Sequence, residues 1–132
     1  MNVIADTNVL VRAAVGDEPA QTPVAKRILK EAEQVVVGRH ALCEFVWVLS
    51  RTYKFSRAEI RSALRKLLDA ENVVFDGATT DSGFETMDAG ADFADGVIAY
   101  EGRWLGGEEF VSFDQKAVAA LEKQGQRVRL LA

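Results

Sequence analysis

Short apolar runs alternate along the chain with longer stretches in which apolar residues recur every three or four positions. That is the pattern of strands separated by helices. Residues 2–5 form the first run and stop at Asp6-Thr7-Asn8, after which Val9, Leu10 and Ala13 follow a helical spacing, so a strand feeds a helix through capping residues. Residues 23–33 read as a helix with Val24, Ile28 and Leu29 on one face, and residues 35–37 as a buried strand. Residues 40–53 are too long and too apolar for a strand and read as a buried helix. Ser56 and Glu59 have capping-box spacing and open an amphipathic helix that runs to Leu68. Residues 73–75 form the next strand, followed by a helix over 80–89. The last third repeats the theme: helix 94–105, strand 110–113, helix 114–124 ended by Gly125, and a final strand at 128–131. Strands alternating with helices imply an α/β fold with a mainly parallel sheet covered on both faces, whose sites gather at the carboxyl ends of the strands.

Composition narrows the class. The 132 residues are 48% apolar and 27% charged, which fits one globular domain and excludes a disordered chain. No apolar run is long enough to span a membrane, and the start of the chain lacks the basic segment of a signal peptide. A single cysteine, Cys43, excludes an internal disulfide and a cysteine-based metal motif, and a cytoplasmic setting is expected. The formal charge of −4 argues against nucleic-acid binding by bulk charge, but the charge is unevenly spread. Residues 51–66 hold Arg51, Lys54, Arg57, Arg61, Arg65 and Lys66 against Glu59 alone, whereas residues 67–102 contain acids and no Lys or Arg.

Four acids stand out. Asp6 and Asp114 directly follow strands, where a helix cap and a site residue look alike, and Asp95 also opens a helical stretch. Glu44 lies inside an apolar helix, where an ionised carboxylate requires a partner or a metal; the alternatives to a metal are a buried salt bridge to Arg12, Arg39 or Arg51 and a hydrogen bond with His40, one turn earlier. Two carboxylates about 5 Å apart repel by roughly 3 kcal/mol at an effective dielectric near 20, so a cluster of four requires protons or a divalent ion. With no Cys or His in the set, oxygen ligation favours Mg²⁺ or Mn²⁺ over zinc and suits phosphodiester hydrolysis. Asp92, three residues before Asp95, shares the metal or points outward, the second being favoured.

Residues 3–10, 44–49, 90–99 and 111–114 together resemble the ordered motifs of PIN-domain nucleases, most of all the VapC-type toxins of toxin–antitoxin pairs. The resemblance covers nearly the whole chain. It implies a five-stranded parallel α/β/α sandwich, a Mg²⁺-dependent endoribonuclease, metal ligation by Asp6, Glu44 and Asp95 with Asp114 as fourth acid, and support from Asn8 and Ser112. Ser112 stands where Thr is commoner, with the hydroxyl preserved. The implied partners are RNA, a second copy of the chain and a small VapB-like antitoxin. Arg57, Arg61 and Arg65 recur at four-residue spacing, and the stripe is either a solvated helix face or a guide for RNA phosphates. Trp47, Phe45, Phe93 and Phe113 are expected in the core.

Two other readings compete. A receiver-like phospho-acceptor domain needs an acid pair after the first strand, an Asp after a middle strand and a Lys after a late one. The chain offers Asp6 alone, Gly38 and Asp114 at those places. A non-catalytic PIN-like interaction protein would keep the fold without binding a divalent ion.

Overall fold

The computed structural model describes residues 1–132. In chain order it contains β1 (Asn2–Ile4), α1 (Thr7–Val15), α2 (Gln21–Glu31), β2 (Gln34–Val36), α3 (Arg39–Arg51), α4 (Arg57–Leu68) and β3 (Val73–Val74). These are followed by α5 (Gly77–Asp88), α6 (Phe93–Trp104), β4 (Phe110–Ser112), α7 (Gln115–Lys123) and β5 (Val128–Leu130). All pairings are parallel, as the alternating pattern requires. The five expected strands are present, but hydrogen bonding groups them into two ladders, β1-β2-β3 and β4-β5, rather than one five-stranded ladder. Each ladder belongs to one of two compact units, Met1–Asp76 and Gly77–Ala132.

In the first unit, parallel order follows from helical crossovers: α1 and α2 lie between β1 and β2, and α3 and α4 between β2 and β3. Val35 and Val37 are buried with Leu10 and Val11 of α1, Leu42, Phe45 and Leu49 of α3, and Ile60, Leu64 and Leu68 of α4. The register row Ile4, Val36 and Val74 is exposed, so the unit by itself covers one face of its sheet, not both. Gly16, at φ 71°, takes the left-handed turn that ends α1. Pro23 sits in the first turn of α2, where its missing N–H costs nothing. The α2 face expected from Val24, Ile28 and Leu29 is only partly buried: Thr22 and Ala25 turn inward, whereas Val24 and Ile28 are exposed. At the other end of α2, the Asn72 side-chain amide donates to the carbonyls of Leu29 at 2.8 Å and Ala32 at 3.0 Å. The capping box of α4 forms as expected: Glu59 N–H donates to Ser56 Oγ at 3.1 Å, and Ser56 N–H to Glu59 Oε1 at 2.9 Å.

The second unit is built on the α5–α6 pair. The glycines Gly83 and Gly96 allow these helices to approach closely, and a Cβ on Gly96 would lie 2.3 Å from the Ser82 carbonyl oxygen. Ser82 Oγ donates to the Gly96 carbonyl at 3.0 Å, and Gln124, the C-cap of α7, donates through its side-chain amide to Thr86 Oγ1 at 3.0 Å. Phe84 meets Phe93 edge-on with ring centroids 5.8 Å apart, over a core completed by Val97, Ala117, Ala120 and Leu121.

Candidate active site

The first unit supplies two of the four acids. Asp6 is the N-cap of α1, with extended backbone angles, and its Oδ1 accepts from the Thr7 N–H at 2.8 Å. This is the capping geometry that Asp after a strand promises. Asn8 is exposed at the second position of the helix.

Glu44 corrects the sequence reading. Its side chain is 53% exposed rather than buried, because α3 turns Leu42, Phe45 and Leu49 inward and leaves Glu44 on another face. The carboxylate therefore needs no cation to be tolerated. It is tied down all the same: Thr7 Oγ1 donates to Glu44 Oε1 at 3.0 Å, and His40 Nε2 lies 3.3 Å from the same oxygen. No arginine pairs with it, and Oε2 has no protein partner. Trp47, one turn on, is 59% exposed with the Arg51 guanidinium 6.0 Å from its ring centre, and Phe113 is 73% exposed. Both were expected in the core, where Phe45 and Phe93 do lie. Trp47 is out because α3 turns Leu42, Phe45 and Leu49 inward, a choice of face that the apolar run around Trp47 does not disclose. Phe113 is out because β4 ends before it, at Ser112.

The second unit supplies the other two. Asp92, not Asp95, is the N-cap of α6; Asp95 lies one turn in, half-buried, and its Oδ2 accepts from the Asp92 N–H at 3.3 Å. Burial pushes the Asp95 carboxyl above the usual Asp range; the Asp92 N–H opposes that shift, and the charges of Asp92 and Asp114 add to it. Asp114 caps α7, its Oδ1 accepting from Lys116 N–H at 2.9 Å and Ala117 N–H at 3.2 Å. Ser112 Oγ accepts from the Asp114 backbone N–H at 2.9 Å, so it fixes the bend that presents Asp114 and does not bond a carboxylate.

Within neither unit do three His, Cys, Asp or Glu side chains form a ready-made cation site. Each unit offers a pair instead: Asp6 and Glu44 joined through Thr7, and Asp95 in electrostatic contact with Asp114. The donors are carboxylate oxygens, the set that a hard divalent cation takes, and Asp95 is the acid whose ionisation a cation would relieve. Thr7 is the residue that sequence reasoning passed over. Its signal was its place between Asp6 and Asn8, but only the packing of α1 on α3 reveals its partner.

On α4, Arg57 and Arg65 are exposed and Arg61 is half-buried beside the face that carries Ile60, Leu64 and Leu68. Across α1, α2 and α4 of the same unit runs a groove of about 550 Å³, walled by Leu10, Leu29, Phe45 and Leu67 and rimmed by Lys26, Lys30 and Lys66. No helix is long and apolar enough to cross a membrane.

Comparison with known proteins gives one family. The PIN domain profile matches residues 3–121, a span that includes all four acids. No curated protein sequence matches. Among solved structures, the chain is similar to Mycobacterium tuberculosis VapC20, described as a sarcin-ricin loop cleaving toxin, with 19% identity and a TM-score of 0.45 over 91% of this chain and 95% of that one. From its matched span and its parallel α/β architecture, the chain belongs to the PIN domain family.

Proposed function

We propose that the protein is a Mg²⁺-dependent endoribonuclease, the toxin of a toxin–antitoxin pair, with Asp6, Glu44, Asp95 and Asp114 as the acids that hold the cation and Mn²⁺ as a substitute. The observation that carries this reading is that all four acids, in motif order, lie inside the span matched by the PIN domain profile. When bound, the cation activates a water, orients the phosphate and offsets charge on the departing 3′ oxygen. The chain's own part is to hold carboxylates ready. Asp6 and Asp114 are placed at helix N-termini, where the helix dipole favours negative charge, and Asp95 lies in the first turn of α6, where burial outweighs that help. Thr7 and His40 hold one oxygen of Glu44, and backbone N–H groups hold one oxygen of Asp114, which leaves the other oxygen of each for a ligand.

The exposed arginines of α4, Arg57 and Arg65, with Arg61 between them, supply the positive charge that brings RNA phosphates toward an acidic site. The antitoxin is a small VapB-like protein that presents an acidic amphipathic segment to the groove of α1, α2 and α4, because three lysines rim apolar walls there. A second copy of the chain completes the set of partners.

The test is cleavage by the antitoxin-free protein. A structured RNA is cut with Mg²⁺ or Mn²⁺, EDTA stops the reaction, and Asp6→Asn reduces it to background while circular dichroism and melting show a folded chain. Cleavage by Asp6→Asn at the parent rate, or in EDTA, rejects the assignment.

A further inference from the structure

We propose that Thr7 is a positioning residue of this site: it holds the Glu44 carboxylate in the one orientation in which it meets a divalent cation. The inference rests on reading Glu44 as a cation ligand. Thr7 is only 7% exposed, and a hydroxyl removed from water needs a partner; it finds Glu44 Oε1 at 3.0 Å. The same residue donates its backbone N–H to Asp6 Oδ1 at 2.8 Å, so one residue is bonded to acids on two different elements.

Helix capping does not explain the hydroxyl. Asp6 already fills the N-cap, and the first helical position makes no demand on its side chain. Threonine does have a property that the role needs. Its branched Cβ restricts χ1, so the hydroxyl is aimed before any ligand arrives. Glutamate is the opposite, a flexible side chain that on an exposed helix face samples several rotamers. His40 also reaches Oε1, but its side chain is 89% exposed, and Thr7 is the buried anchor of the pair. The hydrogen bond engages one carboxylate oxygen and leaves Oε2 unpaired, which is the arrangement an outer partner of a metal ligand adopts.

The experiment compares Thr7→Val, which keeps shape and branching but loses the hydroxyl, with Thr7→Ser, which keeps the hydroxyl. In the metal-free protein, three-bond scalar couplings of the Glu44 side chain should report one dominant rotamer in the parent and Thr7→Ser, and averaging in Thr7→Val. Calorimetric titration with Mn²⁺ should show Thr7→Val binding about tenfold more weakly, with Thr7→Ser at the parent affinity. In a Glu44→Gln background, Thr7→Val should make no further difference, because the residue acts through Glu44. Unchanged couplings in Thr7→Val, failure of Thr7→Ser to restore affinity, or a loss that persists without Glu44 would each overturn the proposal. A parent that neither binds Mn²⁺ nor cuts RNA removes the nuclease reading and the cation half of this one. The couplings separately decide whether Thr7 holds Glu44.

Discussion

Asp95 carries a charge that its surroundings disfavour. Burial is the main cause, with the neighbouring charges of Asp92 and Asp114 adding to it, and its folded pKa lies above the usual Asp value. The ionised form is the penalised one. The penalty is therefore absent below the ordinary Asp pKa of about 4, and it grows as pH rises through the elevated folded value, so the native state loses stability on that rise. Asp95→Asn removes the charge but keeps an oxygen to accept the Asp92 N–H. In metal-free buffer it should melt higher than the parent at pH 7, with the gap closing toward pH ~4. Mg²⁺ should raise the parent's melting temperature more than the variant's. A gap of equal size at both pH values would show that something other than ionisation sets it. Residues differ in how far sequence discloses them. Asp6 and Asp114 are legible as helix caps because capping is a local hydrogen-bond demand. Glu44 reads as buried in the sequence, and wrongly, because burial depends on which neighbours face a helix, and an apolar run has no polar side to mark that face.

At the scale of elements, local rules locate the helices well and their faces less well. The Ser56 and Glu59 box places the start of α4, and Gly125 the end of α7, since both signals act within one turn. Strand ends and ladder grouping are less legible, because a strand of two or three residues carries too little pattern to fix its length or its neighbours. The close approach of α5 to α6 is also invisible in the sequence, although it places Asp95. Here glycine serves as absent volume: a methyl on Gly96 would meet the Ser82 carbonyl oxygen at 2.3 Å and Thr86 Oγ1 at 2.5 Å. The first of these is helix backbone already bonded to Thr86, so it cannot swing aside. Gly96→Ala should cost about 1–3 kcal/mol in denaturant unfolding, despite alanine's better helix propensity. A variant as stable as the parent would mean that the helices separate freely, and that Asp95 is held less firmly than its burial suggests.

Across the whole molecule, the proposed function gives separate tasks to two basic surfaces. The buried residues of α4, Ile60, Leu64 and Leu68, leave Arg57 and Arg65 exposed, while Lys66, with Lys26 and Lys30 of α2, rims the groove. If the first surface draws RNA and the second an acidic antitoxin segment, the two activities should separate under charge reversal. Arg57→Glu with Arg65→Glu avoids the half-buried Arg61. It should lower kcat/KM on RNA and flatten its dependence on salt by about 0.7 in log–log slope for each phosphate that the variant no longer neutralises. Inhibition by antitoxin should stay at parent strength. Lys26→Glu with Lys30→Glu should leave cleavage intact and slow antitoxin association by about tenfold at low salt, an effect that added salt abolishes. Stopped-flow association and cleavage rates across a salt series measure both. If either pair of reversals weakens both activities equally, the net charge of −4, not its placement, governs access to the protein, and the two surfaces are one.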